Sequence, residues 1–241
     1  LKPGYNVQIG VNNGYIAYSY ISPDVNDMKT AIPFLEGYRR QFQDYPKTVV
    51  TDAGYGSYGN YAYAQLHQIQ AILKYSGYQK KKEKVTEKNQ FQLLHMKRNE
   101  KGVPVCPQGY DFEAEKVTVD MKSGVPRTTI HYRNQHCEGC PLRSRCTTSK
   151  KGRSARISPQ LEKYQKQVDA VLETEEGREF IAQRSSQAEG AFADIKKNFG
   201  YSLLRRRGES GVKVELGLVI LGYNLRHYHQ RKMKTNPDTM N

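Results

Sequence analysis

The chain is organised around residues 177–200, GREFIAQRSSQAEGAFADIKKNFG. At 3.6 residues per turn its apolar side chains fall on one stripe, which predicts an amphipathic helix packed on a core. Glu189 and Lys196 lie at the border of that stripe, seven residues apart and nearly aligned along the helix axis. An acid and a base therefore share the edge of a buried face, and a solvated helix flank is the alternative interpretation. The stripe consists of Ile181, Ala188, Phe192, Ile195 and Phe199.

The composition of the whole chain favours a polyanionic partner. The 241 residues carry a formal net charge of +14, and the sequence pI is near 9.5. A surplus this large attracts nucleic acid, with a generally basic surface as the alternative. No apolar run approaches the roughly 18 residues of a membrane span. Four cysteines in a large basic chain do not resemble a secreted disulfide scaffold, so we expect a reducing cytoplasm and no membrane partner.

The N-terminal part of the chain predicts a hairpin followed by a helix. Residues 5–20 alternate between apolar and polar on either side of Asn13-Gly14, which is the pattern of a β-hairpin with a tight turn. A helix is then predicted up to about residue 44. Asn26 or Asp27 is a suitable N-cap for its start. A start nearer Thr30 is the alternative, because Pro33 fits only the first turn or two of a helix.

Asp52 stands at the end of a short predicted strand, Val49-Val50, and a glycine turn follows it. Ligands and catalysis gather at the carboxyl ends of strands in α/β sheets, so Asp52 is a candidate metal-binding carboxylate. The alternative is an Asx-type turn or the N-cap of the next helix. A helix at 57–68 and a strand at 71–73 are predicted to follow.

Residues 77–156 form a basic segment that contains all four cysteines. Its pattern predicts an inserted module of short strands. A C-x-x-C turn lets two thiolates grip one metal ion, and two further thiolates complete a tetrahedral zinc site. His131 or His136 can replace one of the thiolates, and four reduced thiols without metal are the alternative. The cysteines are Cys106, in a Cys-Pro-x-Gly turn, and Cys137, Cys140 and Cys146, spaced C-x2-C-x5-C.

After this module the sequence predicts a helix at 159–172, the helix at 177–200 and a final helix at 212–229. Three consecutive arginines before the final helix predict a phosphate-contacting patch, with a solvated basic loop as the alternative. They are Arg205, Arg206 and Arg207. The side chains predicted to face the core from the final helix are Val214, Leu218, Leu221, Tyr223 and Leu225.

With an acid after a strand and another on a late helix, the chain resembles the DDE transposases of bacterial insertion-sequence elements. It resembles specifically the group with a cysteine-bearing insertion before the last catalytic acid. The segments that carry the resemblance are LKPGYNVQIGV at the start, VVTDAGYGSYGNY around Asp52, CEGCPLRSRC in the insertion, RSSQAEGAFADIKKNFGY around Glu189, and RRRGESGVKVELGLVILGYNLRH.

The resemblance implies an α/β fold with a ribonuclease H-like core, in which helices flank a mixed sheet. In this interpretation residues 1–76 form the first part of the core, and 77–156 form the small basic cysteine-bearing insertion. Residues 157–230 form the C-terminal helical part of the core, and 231–241 form a disordered tail.

The resemblance also implies DNA cleavage and strand transfer at element ends, with three acids holding two magnesium (or manganese) ions. Asp52 and Glu189 take the second and third acidic positions, and Lys196 matches a lysine thought to contact DNA phosphate. Arg184 corresponds to an upstream arginine, with four intervening residues before the glutamate instead of the three in Y-x2-R-x3-E-x6-K. The implied partners are element-end and target DNA and a second copy of the chain in the active complex, associated with the bacterial nucleoid.

The first acid of such a site lies on a strand before the opening hairpin, so we expect an N-terminally truncated chain that lacks it and is nearly inactive alone. One alternative is a non-catalytic DNA-binding protein, either a remnant or a repurposed transposase. Another is a zinc-module protein whose main role is to bind a partner.

Overall fold

A computed structural model describes residues 4–235, and contacts divide the chain into two compact units. The first unit comprises Leu1–Thr51 together with Val171–Asn241, and the second comprises Asp52–Ala170. The insertion expected at 77–156 falls inside the second unit, and its boundaries stay a prediction.

The first unit begins with the β-hairpin that its alternating sequence predicts. β1 (Asn6–Asn12) pairs antiparallel with β2 (Tyr15–Ser22). The two residues between the strands, Asn13 and Gly14, have φ angles of +50° and +82°. Positive φ at both positions is what the tight turn of an Asn-Gly hairpin requires, so this prediction is confirmed.

A helix and a short strand complete the N-terminal part of this unit. A 3-10 turn at Asp27–Lys29 leads into α1 (Ala31–Phe42). Pro33 is the third residue of α1, where its missing N–H removes no helical hydrogen bond, so the alternative start near Thr30 is confirmed. The start predicted at Asn26 or Asp27 was wrong for α1, because Asn26 caps only the preceding 3-10 turn. β3 follows at Thr48–Thr51, around the predicted strand.

The helix predicted at 177–200 consists of three consecutive segments. α6 occupies Glu175–Arg184, a π-helical turn occupies Ser185–Glu189, and α7 occupies Gly190–Lys197. The prediction of one regular helix was wrong because the stripe was drawn at 3.6 residues per turn, whereas a π turn shifts that register. It was also wrong at its end, where Phe199 lies beyond α7 and is exposed.

α8 (Glu209–Thr235) is the longest helix, and the face that it buries differs from the predicted one. Val212 and Leu216 pack with Ile21 of β2 in one buried cluster. Of the five side chains predicted for the core, only Tyr223 is buried. Because α8 is apolar on more than one face, its periodicity does not specify which face the hairpin covers. The exposed side chains are Val214, Leu218, Leu221 and Leu225.

A second cluster joins the hairpin to α7 and α8. Ala191 and Ile195 pack with Ile16 and Tyr223, and Ala191 is 0% exposed. The core of this unit therefore lies between the inner face of the hairpin and the last two helices. The remaining residues of the predicted stripe are half-buried: Ile181, Ala188 and Phe192.

The disordered tail predicted at 231–241 was wrong in its first part. The helix continues to Thr235, so 231–235 are helical, while 236–241 lie outside the described residues. Lys232 and Lys234 lie in the last turn, where positive charge interacts favourably with the carboxyl end of a helix.

The second unit combines helices with short and long strands. Its predicted helices and its first predicted strand are confirmed at α2, α5 and β4. The long β7–β8 hairpin was not predicted, since only short strands were expected in the insertion. The elements are α2 (Tyr58–Leu66), β4 (Gln70–Leu73), α3 (Tyr78–Lys82), β5 (Lys97–Arg98), β6 (Pro104–Val105), β7 (Glu113–Lys122), β8 (Val125–Arg133), α4 (Arg143–Cys146), β9 (Ser154–Ile157) and α5 (Pro159–Glu173).

A three-stranded sheet organises the insertion. β8 pairs antiparallel with β7 on one side and with β9 on the other. Met96 and Phe112 pack against Tyr132 of β8 and the inward side chains of β9 in a separate core cluster. The insertion thus has its own small core.

The described structure confirms a mixed α/β architecture. The ribonuclease H-like arrangement of one mixed sheet stays a prediction. Within the described part of the first unit, strands pair with one another only as the β1–β2 hairpin.

Two valine substitutions test which face of α8 is buried. Val212→Ala removes two methyl groups at a site that is 0% exposed and should lower the free energy of unfolding by roughly 2 kcal/mol. Val214→Ala, at a site that is 63% exposed on the same helix, should change it by less than about 0.5 kcal/mol. Urea denaturation of the two variants measures both values, and equal losses would contradict the assigned face.

Candidate active site

Asp52 lies directly after β3 and is half-buried. Its Oδ1 accepts a hydrogen bond from the backbone N of Gly54 at 2.9 Å, and it caps a 3-10 turn at Ala53–Tyr55. The Asx-type turn considered as an alternative is therefore present. A carboxylate has further lone pairs, so this turn orients Asp52 and is compatible with a role as a ligand.

Glu189 is the last residue of the π turn, and its side chain is 64% exposed. Arg184 Nη1 donates to Glu189 Oε1 at 2.7 Å, and Ser185 Oγ donates to the same oxygen at 3.4 Å. A π turn stacks residues five apart, which is the separation of the arginine and the glutamate. An exposed ion pair contributes only about 0–1 kcal/mol of stability, so its main effect is to orient the carboxylate.

The backbone that carries Glu189 is held from the hairpin side. Gln187, in the π turn, accepts a hydrogen bond from Gly14 N at its Oε1, 3.2 Å away. Ala191, two residues after Glu189, is fully buried. The exposed carboxylate therefore projects from a fixed segment. Sequence reasoning missed Gln187, because nothing in its local pattern distinguishes it from a surface glutamine.

Lys196 lies in the last turn of α7 and is exposed. Its Nζ lies 5.6 Å from the ring centroid of Phe192, one turn earlier. Seven residues of helix place Lys196 about 10 Å along the axis from Glu189, on nearly the same side. The pair thus shares one exposed helix face.

Asp52 belongs to the second unit and Glu189 to the first, and their convergence stays a prediction. Among residues 4–235, no three His, Cys, Asp or Glu side chains are grouped so as to hold a metal ion.

The three consecutive arginines lie in an irregular segment between α7 and α8, called here the arginine loop (residues 201–208). All three are exposed. The loop is fastened by Glu215 of α8, which is buried. One carboxylate oxygen accepts from Arg205 N at 2.8 Å and the other from Arg206 N at 2.7 Å. Tyr201 OH adds a hydrogen bond of 3.1 Å to the first oxygen.

Glu215 is therefore a positioning residue that sequence reasoning missed. The backbone hydrogen bonds from Arg205 and Arg206 are the main cause that holds its carboxyl pKa below the ordinary value. A signal for it exists in the sequence, since Glu215 is a single acid between Val214 and Leu216 in an otherwise apolar run. A buried acid in such a run needs hydrogen-bond partners.

Residues 105–229, just over half of the chain, match a family model described as the transposase DDE domain. The chain belongs to the transposase DDE domain family. The match contains Glu189, Lys196 and the arginine loop, while Asp52 precedes it. No curated protein and no solved structure matches this transposase. None of its helices within residues 4–235 has both the length and the apolar character needed to cross a membrane.

We expect acid to release the arginine loop. Because the folded pKa of Glu215 is lowered, its hydrogen bonds contribute fully above the ordinary value of 4.5 and are lost as the pH falls through the lower, folded pKa. The amide resonances of Arg205 and Arg206 should therefore shift together only below that ordinary value. The measurement is an NMR titration of the backbone amides.

The variant Glu215→Gln provides the control, because its neutral amide does not titrate and offers one acceptor oxygen in place of two. Its loop amides should lack the acid transition and should exchange with solvent faster at neutral pH. A transition at the same pH in this variant would show that another group controls the loop.

Proposed function

We propose that this transposase cuts DNA at the ends of an insertion-sequence element and joins them to target DNA by in-line displacement at phosphorus. The observation that carries the proposal is Glu189, which lies in the matched domain, on a π turn, with Arg184 on its carboxylate. Single π turns inside α-helices are frequent at functional sites. An exposed acid beside a guanidinium suits a site that takes both a cation and a phosphate.

Asp52 and Glu189 would hold the divalent cations, magnesium or manganese, of this chemistry. Their carboxylate oxygens are the ligands that these hard cations prefer, and neither side chain is fully buried. When bound, two such cations activate the attacking oxygen and stabilise the leaving oxygen. This proposal assigns no residue to the first acidic position, and the expected homodimer stays a prediction.

The basic side chains of this transposase would position the DNA. Arg184 orients the Glu189 carboxylate before DNA binds and can bond a phosphate brought to the same place. Lys196, two turns further along the same helix face, supplies a second positive charge. The arginine loop adds three exposed guanidinium groups on a backbone fixed by Glu215. Contacts of this kind hold the DNA backbone in place without reading its sequence.

Replacement of the two acids tests the catalytic part of the proposal. In the complete transposase, Asp52→Asn and Glu189→Gln should each lower strand transfer at least roughly 100-fold, the scale of losing one group that stabilises transition-state charge. Thermal unfolding and DNA affinity should stay close to those of the parent. The assay measures joining of DNA that flanks the transposase gene to a plasmid target, with magnesium.

Asp44→Asn and Glu179→Gln are matched controls, because both acids are exposed and each accepts a local hydrogen bond, from Tyr45 N and Gln183 respectively. Both controls should keep full strand transfer. Normal strand transfer by Asp52→Asn or Glu189→Gln would refute the assignment and would leave the non-catalytic DNA-binding alternative.

Salt dependence tests the arginine loop separately from catalysis. Arg206→Ala should weaken DNA binding by a similar factor for unrelated sequences and reduce the slope of log affinity against log salt by about 1. Arg40→Ala, an exposed arginine on α1, removes the same charge outside the loop and should leave the slope unchanged. If replacement of all three loop arginines leaves the slope at its parent value, the loop does not contact phosphate.

A further inference from the structure

All four cysteines of the chain line one small cavity in the second unit. Cys106 comes from the turn after β6, Cys137 and Cys140 come from the segment after β8, and Cys146 ends α4. The cavity encloses about 20 Å³, enough for one particle the size of a water molecule or a metal ion. The four thiols are reduced and half-buried. Three separate parts of the insertion thus contribute cysteines to the lining of one cavity.

The turns that carry these thiols have the form of metal-binding knuckles. Gly109 N donates to Cys106 O at 2.8 Å, which closes the Cys-Pro-x-Gly turn. Gly139, between Cys137 and Cys140, has a φ of +66°, which reverses the chain so that both cysteines lie on one side of the turn. In addition, Arg153 N donates to Cys137 Sγ at 3.3 Å.

Two arginine side chains line this cavity and donate hydrogen bonds to backbone carbonyls of the loop after β8. Arg143 donates to the carbonyl oxygens of Cys137 and Lys150, each at 3.0 Å. Arg153 donates to the Cys146 carbonyl at 3.3 Å. Four thiolates around a divalent cation carry a net charge of −2. Arg143 and Arg153 both line the cavity, so their positive charges would offset this charge.

The two histidines considered as substitute ligands have other partners. His131, on β8, lies with Nε2 3.0 Å from Thr118 Oγ1. His136 also lines the cavity, and its ring stacks on Tyr110 with the centroids 4.4 Å apart. Thiols are therefore the better set of four. Within residues 4–235 no three potential ligands are yet close enough to hold a metal ion, so binding must draw the thiols inward.

We propose that Cys106, Cys137, Cys140 and Cys146 bind one structural zinc ion that fastens the loop after β8 to the turn after β6. Zinc is the expected metal because four thiolates form the closed tetrahedral set of structural zinc sites. The ion cross-links residues 134–153, a segment whose only regular element is the four-residue α4. This inference is independent of the catalytic proposal.

The experiment measures the metal content of the untagged full chain purified from zinc-supplemented cells. We expect one zinc per chain, and cobalt(II) in its place should give thiolate-to-cobalt charge-transfer absorption with the visible bands of tetrahedral cobalt. Cys137→Ser and Cys140→Ser should each lose the zinc and this absorption. His131→Asn and His136→Asn should keep both.

Thiol reactivity keeps the test decisive if the serine variants fail to fold. In the folded parent chain, the four cysteines should react slowly with a thiol reagent and become reactive when a chelator removes the zinc. Metal-free chains with four freely reactive thiols, or a disulfide between any two cysteines, would overturn the proposal. Asp52→Asn should keep its zinc whatever its effect on strand transfer. The zinc proposal and the catalytic proposal can therefore be refuted independently.

Discussion

The first unit depends on how the β1–β2 hairpin is fastened to the C-terminal helices. Asn224 of α8 donates to Ile16 O at 3.0 Å and accepts from Ile16 N at 2.9 Å, as a neighbouring strand would. Tyr223 OH donates to Gly14 O at 3.1 Å. Backbone polar groups that are buried without partners cost free energy, so these side chains make it possible for the hairpin to pack on helices instead of on another strand. The apolar cluster around Ala191 then fills the space between them.

The same principle recurs at two candidate functional groups, where a buried or hydrogen-bonded anchor holds an exposed charge. Gln187 and Ala191 hold the segment from which Glu189 projects. Glu215 fixes the backbone of the arginine loop while its guanidinium groups stay in solvent. Charges on fixed backbone lose less entropy when they bind a phosphate than charges on a disordered chain. In the proposed function, the fold would therefore hold these basic groups in place before DNA binds.

The sequence predicted those elements whose signals are local. The Asn13-Gly14 turn, the start of α1 near Pro33 and the strand before Asp52 were confirmed because turn chemistry and proline geometry act within a few residues. The buried face of α8 was not predicted, because packing against the distant hairpin decides it. The π turn was not predicted, because the stripe was drawn at 3.6 residues per turn. Glu215 was missed because its hydrogen-bond partners lie in the preceding loop, outside its own helical pattern. The convergence of Asp52 with Glu189 rests on the family resemblance.

In the proposed function, Asp52 and Glu189 bind the same divalent ions. Iron(II) can occupy magnesium sites, and with peroxide it generates hydroxyl radicals that cut the backbone close to the ion. Mapping these cuts in the complete transposase shows whether Asp52 and Glu189 lie at one ion site. We expect cuts near Asp52 and near Glu189 together, both suppressed by excess magnesium and both lost in Asp52→Asn. Cuts near only one of the two residues, or near neither, would contradict a shared site.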